Sequence, residues 1–328
     1  MKLAKLFAAT ALALGSSLAA LPAMAQAITP LCSLQAEPTI SFVEFPAPNL
    51  VLNASGQIVQ NGTLTIKGKM RVPNCYGPVS KPGNKLPTVL IMHGSGGVDS
   101  RGDFHAQALN AAGFATLEID MWEARGVTGV ANRPALPALT FPDAYYALRF
   151  LSTQSNIDIN RVGVLGFSWG GVMSLASATQ NVVPFGGGLR FKAHVAHYPV
   201  CYAYNSPYIP NSGFGSVGNN PLTGAPILIQ VGTQDDYDRA NSSGDGSLAC
   251  KALKNSLSAA EQAKIEVVAV DGAYHGWDRL MIPVQGYDPF AHLGADRYNT
   301  AARMDIRPNV TKAYEARARL VQFFIKNL

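Results

Sequence analysis

Ser168, His275 and an aspartate between them are the residues whose types and order could do covalent chemistry. Ser168 stands in Gly166-Phe167-Ser168-Trp169-Gly170, a G-x-S-x-G. An apolar run, Val162 to Leu165, precedes it, and small and apolar residues follow from Val172 through Ala178. Strand, sharp turn and helix is the context that makes this pattern a nucleophile elbow. The turn lifts the hydroxyl clear of a sheet, and glycines flank it because side chains there would collide. A serine hydroxyl is a weak nucleophile and needs a base held by an acid.

His275 is the expected base, in a loop just past a predicted strand. Only His292 also lies downstream of Ser168 and the acid candidates, and no strand precedes it. The acid falls in Gly232-Thr233-Gln234-Asp235-Asp236-Tyr237-Asp238. Asp235 comes first beyond its strand and can turn back toward the serine. Asp236 is its rival and Asp238 a poor third, with loop capping the role of those not used.

Attack on a carbonyl creates an oxyanion, which backbone N–H groups stabilise. Trp169, beside the nucleophile, offers one donor. The turn His93-Gly94-Ser95-Gly96-Gly97 offers the other, from Ser95 or alternatively Gly96. His93 precedes Ser168 and reads as a structural histidine bracing that turn. Arg125, in a long loop, is a candidate for a substrate carboxylate or else for a structural ion pair. Trp122, Tyr204 and Trp277 are candidates for an acyl or alcohol pocket, local packing being the other reading. His194 and His197 form H-x-x-H, but on a strand that spacing puts them on opposite faces, unable to share a metal. No Cys or His spacing suggests zinc, and neither metal nor cofactor is expected.

The elements that must position these residues alternate. Thr39 to Phe45 and Thr63 to Val72 read as strands, the second with Thr63, Thr65, Lys67 and Lys69 facing water. Thr88 to Met92 is a continuous apolar run, as in a strand covered on both faces. Further strands are predicted at Phe114–Ile119, Val162, Ala193–Tyr198, Ile227–Val231 and Ile265–Val270. Helices are predicted near Asp103–Ala112, Asp143–Ser152, after Ser168, near Leu248–Leu257, and at Thr311–Ile325. Two long loops, Asp120–Pro142 and Pro199–Gly224, would shape a pocket. This alternation predicts an α/β fold with a mainly parallel central sheet and helices on both faces. In such sheets ligands sit beyond the carboxyl ends of the strands. Every chemically suggestive cluster lies at such an end.

Composition sets the bounds. Met1-Lys2-Leu3-Ala4-Lys5, an apolar stretch from Leu6 to Leu14 and Ala23-Met24-Ala25 read as a secretory signal peptide over residues 1–25. Its apolar core is too short to span a bilayer. Residues 26–328 then form one domain, exported to a periplasmic or extracellular space, with no membrane span. Losing Lys2 and Lys5 takes the formal charge from +5 to +3. That mild excess, without a basic cluster, argues against nucleic acid. Four cysteines in an exported chain suggest two disulfides. Three pairings are possible; Cys32–Cys75 and Cys201–Cys250 are favoured.

The ordered set resembles the dienelactone hydrolase family of α/β-hydrolases. It comprises Met92-His93-Gly94-Ser95-Gly96-Gly97, Ala112-Gly113-Phe114-Ala115, Asp120 with Arg125-Gly126, the Ser168 elbow, the Asp235 loop and Tyr274-His275-Gly276-Trp277-Asp278. The resemblance implies an α/β-hydrolase fold and a triad of Ser168, Asp235 and His275, in the order that those enzymes use. Cysteines at 201 and 250 look like those of exported members and support their pairing. Members that cleave dienelactone carry cysteine where this chain has Ser168, which shifts the expected substrate toward ordinary esters. The expected function is hydrolysis of a small carboxylic ester or lactone through an acyl-enzyme. Acyl transfer or amide hydrolysis on the same triad, and a non-catalytic binding protein on the same fold, are the alternatives.

Overall fold

A computed structural model describes residues 37–81, 83–205, 222–239, 243–288, 290–291 and 302–328. The expected leader, Cys32 and hence the Cys32–Cys75 pairing, and most of the loop after Asn205 lie outside them. No helix among the described residues is long and apolar enough to cross a membrane.

The described residues begin with a hairpin, β1 (Thr39–Leu52) and β2 (Ile58–Val72), and then alternate. In order come β3 (Leu86–Met92), α1 (Ser100–Ala111), β4 (Ala115–Asp120), α2 (Phe141–Ser152), β5 (Ile157–Phe167) and α3 (Trp169–Ala176). There follow β6 (Ala193–His197), α4 (Tyr202–Asn205), β7 (Ile227–Gly232), α5 (Ser247–Asn255), α6 (Ala259–Gln262) and β8 (Ile265–Val270). A second hairpin, β9 (Val284–Asp288) with β10 (Ala302–Ile306), precedes the last helix, α7 (Val310–Asn327).

Eight strands form one sheet in the order β1-β2-β4-β3-β5-β6-β7-β8. The hairpin adds antiparallel to β4, and every pair from β4 to β8 is parallel. The fold is therefore the expected single-domain α/β sheet. Pro46 and Pro48 are tolerated because β1 is an edge strand with a register shift after Pro48. Of the four β2 residues expected to face water, Thr63, Thr65 and Lys67 are exposed. Lys69 is half-buried, because its amine reaches Asp103 of α1.

The central strands are apolar throughout because both faces are covered. Val89, Ile91, Leu165, Phe167 and Val195 pack on one face with α1 and α7, through Ala106, Leu109, Leu320 and Phe324. Leu90, Met92, Val162, Val164 and Ala196 pack on the other with α2, α3 and α5. Alternation along each strand sorts the two sets. The helices begin where the sequence can cap them: Asp99 accepts the Arg101 N–H at the start of α1, and Pro142 sits in the first turn of α2. The β9–β10 hairpin carries no strand pattern in the sequence. Gly286, Gln285 and Asp288 interrupt any apolar alternation, and residues 289–301 separate its arms.

Candidate active site

The elbow forms where β5 ends. Ser168 has φ 51° and ψ −109°, a conformation that costs a non-glycine residue about 1–3 kcal/mol. The surroundings hold it there. The Ser168 N–H donates to the His197 carbonyl at 3.0 Å, and the Ser168 carbonyl accepts from Val172 at 2.8 Å. The two glycines answer to steric need. A Cβ on Gly166 would overlap the Gly170 carbonyl, and one on Gly170 would overlap the Met92 carbonyl.

His275 reaches the elbow from the loop after β8. Its Nε2 lies 2.9 Å from Ser168 Oγ, and its Nδ1 lies 2.9 Å from Asp235 Oδ2. Asp235 turns back from the end of β7, while its rivals turn away. Asp236 accepts the Asp305 N–H at 2.6 Å and pairs with Arg239. Asp238 caps the backbone N–H groups of Cys201 and Tyr202, each at 2.9 Å. With Asp235 an acceptor, the ring places its proton on Nδ1 and leaves the Nε2 lone pair toward the serine hydroxyl. All three side chains are buried, Ser168 keeping 8% of its surface exposed.

The turn after β3 packs beside this relay. His93 braces it: Nδ1–H donates to the Gly94 carbonyl at 2.8 Å, and Nε2 accepts the Met121 N–H at 2.9 Å. That tautomer is neutral, and burial pulls the imidazole down to about 4. Trp122 Nε1 donates to the Ser95 carbonyl at 3.0 Å. Ser95, Ser168 and Trp169 line one pocket, with Val172, Val200 and Ala203 among its apolar walls. As the first residue of α3, Trp169 has a backbone N–H without an intrahelical partner.

Four pocket candidates from the sequence lie elsewhere. Arg125 is a structural ion pair: Nη1 and Nη2 hold the two oxygens of buried Asp143 at 2.7 and 2.9 Å. Trp122 packs edge-on against His93 and Trp169, behind the turn. Trp277 is fully buried against His197 and Tyr198. Tyr204 turns inward and donates to the Val172 carbonyl at 2.9 Å. Tyr202, two positions before it on α4, faces the pocket instead.

Beneath the relay lies a polar network that the sequence did not suggest. Asp278 Oδ2 accepts from His105 Nε2 at 2.8 Å and His197 Nδ1 at 3.0 Å, and its Oδ1 accepts from the Tyr198 hydroxyl at 2.5 Å. Arg101 donates to the same hydroxyl at 3.2 Å. Burial opposes the charge on Asp278, but the two histidines outweigh it and hold the carboxyl well below its ordinary range. His105, His197 and Asp278 are residue types that ligate metals, yet their separations are those of N–H···O bonds. The Tyr198 ring packs edge-on against His275 with centroids 4.7 Å apart, so the network backs the imidazole. His194 points to the opposite face of β6, toward the Ser174 carbonyl, as the strand spacing requires.

Known proteins share this framework. The sequence model of the dienelactone hydrolase family matches residues 75–312. An uncharacterized protein of Mycobacterium tuberculosis is 26% identical over 201 residues, 59% of this chain and 69% of its own. The crystal structure of a dienelactone hydrolase from Anabaena variabilis superposes with a TM-score of 0.50 at 18% identity, covering 89% of this chain and 99% of that one. Thermogutta terrifontis esterase 2 gives a TM-score of 0.53 at 12% identity, covering 85% and 94%. With the family match spanning most of its length, this chain belongs to the dienelactone hydrolase family.

Proposed function

We propose that this hydrolase cleaves a small carboxylic ester or lactone through an acyl-enzyme on Ser168. The observation that carries the reading is the continuous relay from Asp235 through His275 to Ser168, opening on a pocket. His275 Nε2 takes the hydroxyl proton as Oγ attacks the carbonyl carbon. Asp235 steadies the imidazolium that forms. The backbone N–H groups of Ser95 and Trp169 receive the negative charge on the carbonyl oxygen. His275 then returns the proton to the leaving alcohol. Water, deprotonated by the same nitrogen, releases the acid and restores the serine. Each step uses groups of the chain itself.

The place of action is part of the proposal. A leader of the secretory type and the Cys201–Cys250 disulfide, a bond suited to oxidising compartments, support an exported enzyme. Thermogutta esterase 2 has been phosphorylated by paraoxon. A fluorophosphonate is the matching probe here.

The test pairs that probe with a series of p-nitrophenyl esters of rising acyl length and with lactones. Labelling at Ser168, and hydrolysis that falls at least about 1,000-fold in Ser168→Ala, are expected. Hydrolysis that survives Ser168→Ala would sink the reading.

A further inference from the structure

The pocket wall holds two polar sets. Ser95 and Ser168 belong to the reaction proposed above. Arg133 and Asp288 have no part in it, yet they line the same cavity, as does Tyr237, whose ring also packs against His275.

Arg133 grips Asp288 from 155 positions away. Nη1 donates to Oδ2 at 2.8 Å and Nη2 to Oδ1 at 2.7 Å. The Tyr237 hydroxyl donates to Oδ2 at 2.9 Å, and the Phe290 N–H to Oδ1 at 2.9 Å. The carboxylate thus accepts four bonds, about what its lone pairs allow. Burial opposes its charge, but the Arg133 bonds and charge outweigh that and hold the carboxyl below its ordinary range. The guanidinium also lies over the rings of Phe290 and Trp169, at 5.0 and 5.7 Å. Only 7% of the Arg133 side chain and 1% of the Asp288 side chain are exposed.

Such a pair offers no net charge to what enters. Its cation is bonded by its anion, and the surrounding wall includes the apolar Pro137, Val172, Val200 and Ala203. Arg101 and Arg279, which lie against the oxyanion turn, both pair with Asp99, and neither lines the wall. A carboxylate carried by a substrate would lose its water here and find no free cation among the described residues of the wall, which is costly.

We propose that the Arg133–Asp288 pair sets substrate class: the enzyme takes esters with uncharged, mainly apolar groups and rejects esters that carry a carboxylate. This rests on the hydrolase reading. Asp288 is the controlling member. Removing its charge leaves a buried guanidinium in the pocket wall without a counter-ion, which an anionic acyl group can supply.

The test compares kcat/KM for p-nitrophenyl pentanoate and p-nitrophenyl hydrogen glutarate, acyl chains of equal length that differ in a terminal carboxylate. Wild type should prefer the pentanoate by about 100-fold or more. Asp288→Asn should narrow that ratio by about 10-fold or more, chiefly through a lower KM for the glutarate ester. Adding Arg133→Met to Asp288→Asn should restore the preference for the neutral ester. A wild-type ratio near one overturns the proposal whether or not the variants fold. A folded Asp288→Asn enzyme with an unchanged ratio overturns it too. Protein inert to both esters and to fluorophosphonate fails the hydrolase reading itself, whereas labelled, active protein with a ratio near one fails the pair alone.

Discussion

Asp235 and His275 stand at the ends of adjacent parallel strands, and their side chains meet at 2.9 Å although 40 positions separate them. The pairing of β7 with β8 fixes that distance. The neighbouring Asp236 faces the β10 side, toward the Asp305 backbone. The two aspartates should therefore separate cleanly on substitution. Asp235→Asn is expected to lower kcat about 1,000- to 10,000-fold, because an amide can stabilise the wrong imidazole tautomer and cannot steady the cation. Asp236→Asn should leave kcat close to wild type and lower stability by about 1 kcal/mol. Ester kinetics and urea unfolding on both variants check this, and a larger kcat loss in Asp236→Asn would reverse the assignment.

His194 gives a pH test of the core. It is fully buried, its Nδ1 lies 3.0 Å from the Ser174 carbonyl, and burial pulls it down from 6.5 to about 4. Between those values the unfolded chain binds a proton that the folded chain refuses, so stability falls as pH drops through this window. The slope from one such group is about 1.4 kcal/mol per pH unit. The stability advantage of wild type over His194→Gln should be constant above pH 6.5 and shrink steadily toward pH 4. Urea unfolding at pH 7, 6 and 5 measures it; a gap independent of pH would mean that the imidazole is not held neutral.

Much of this was legible in the sequence, for reasons that differ by element. Strands such as Leu86–Met92 announce themselves because covering both faces demands an unbroken apolar run. The relay was legible because each member follows a strand end, and the sheet brings those ends together. The pocket wall was not. Nothing local links Arg133 to Asp288, since their contact depends on where the β9–β10 hairpin folds back. Arg125 and Trp277 misled for a related reason. A polar or aromatic residue in a loop reads the same whether it faces a cavity or, as Trp277 does, the interior behind it.

Arg125 now carries a prediction about stability. Its partner Asp143 is fully buried, and burial pushes that carboxyl up while Arg125 pulls it back. Arg125→Met leaves the carboxyl without its cation, which should cost about 3–5 kcal/mol. Replacing both residues, Arg125→Met with Asp143→Leu, should recover most of that loss. Thermal melts of the three proteins test it. An Arg125→Met enzyme with wild-type stability and weaker binding of anionic esters would return Arg125 to the substrate.

The Cys201–Cys250 disulfide closes a loop of 49 positions and ties the start of α4 to α5. Val200, Tyr202 and Ala203 of the pocket wall hang on that tie. Ser168, Asp235 and His275 instead follow β5, β7 and β8, which the bond does not hold in place. The double variant Cys201→Ser with Cys250→Ser should therefore lose about 2–4 kcal/mol of stability. It should raise KM for neutral esters several-fold, while kcat changes little because the relay keeps its geometry. Urea unfolding and ester kinetics on the double variant read both effects. A collapse of kcat at unchanged KM would mean that the disulfide positions the triad through the Asp238 carboxylate, which bonds the Cys201 and Tyr202 backbone three positions beyond Asp235.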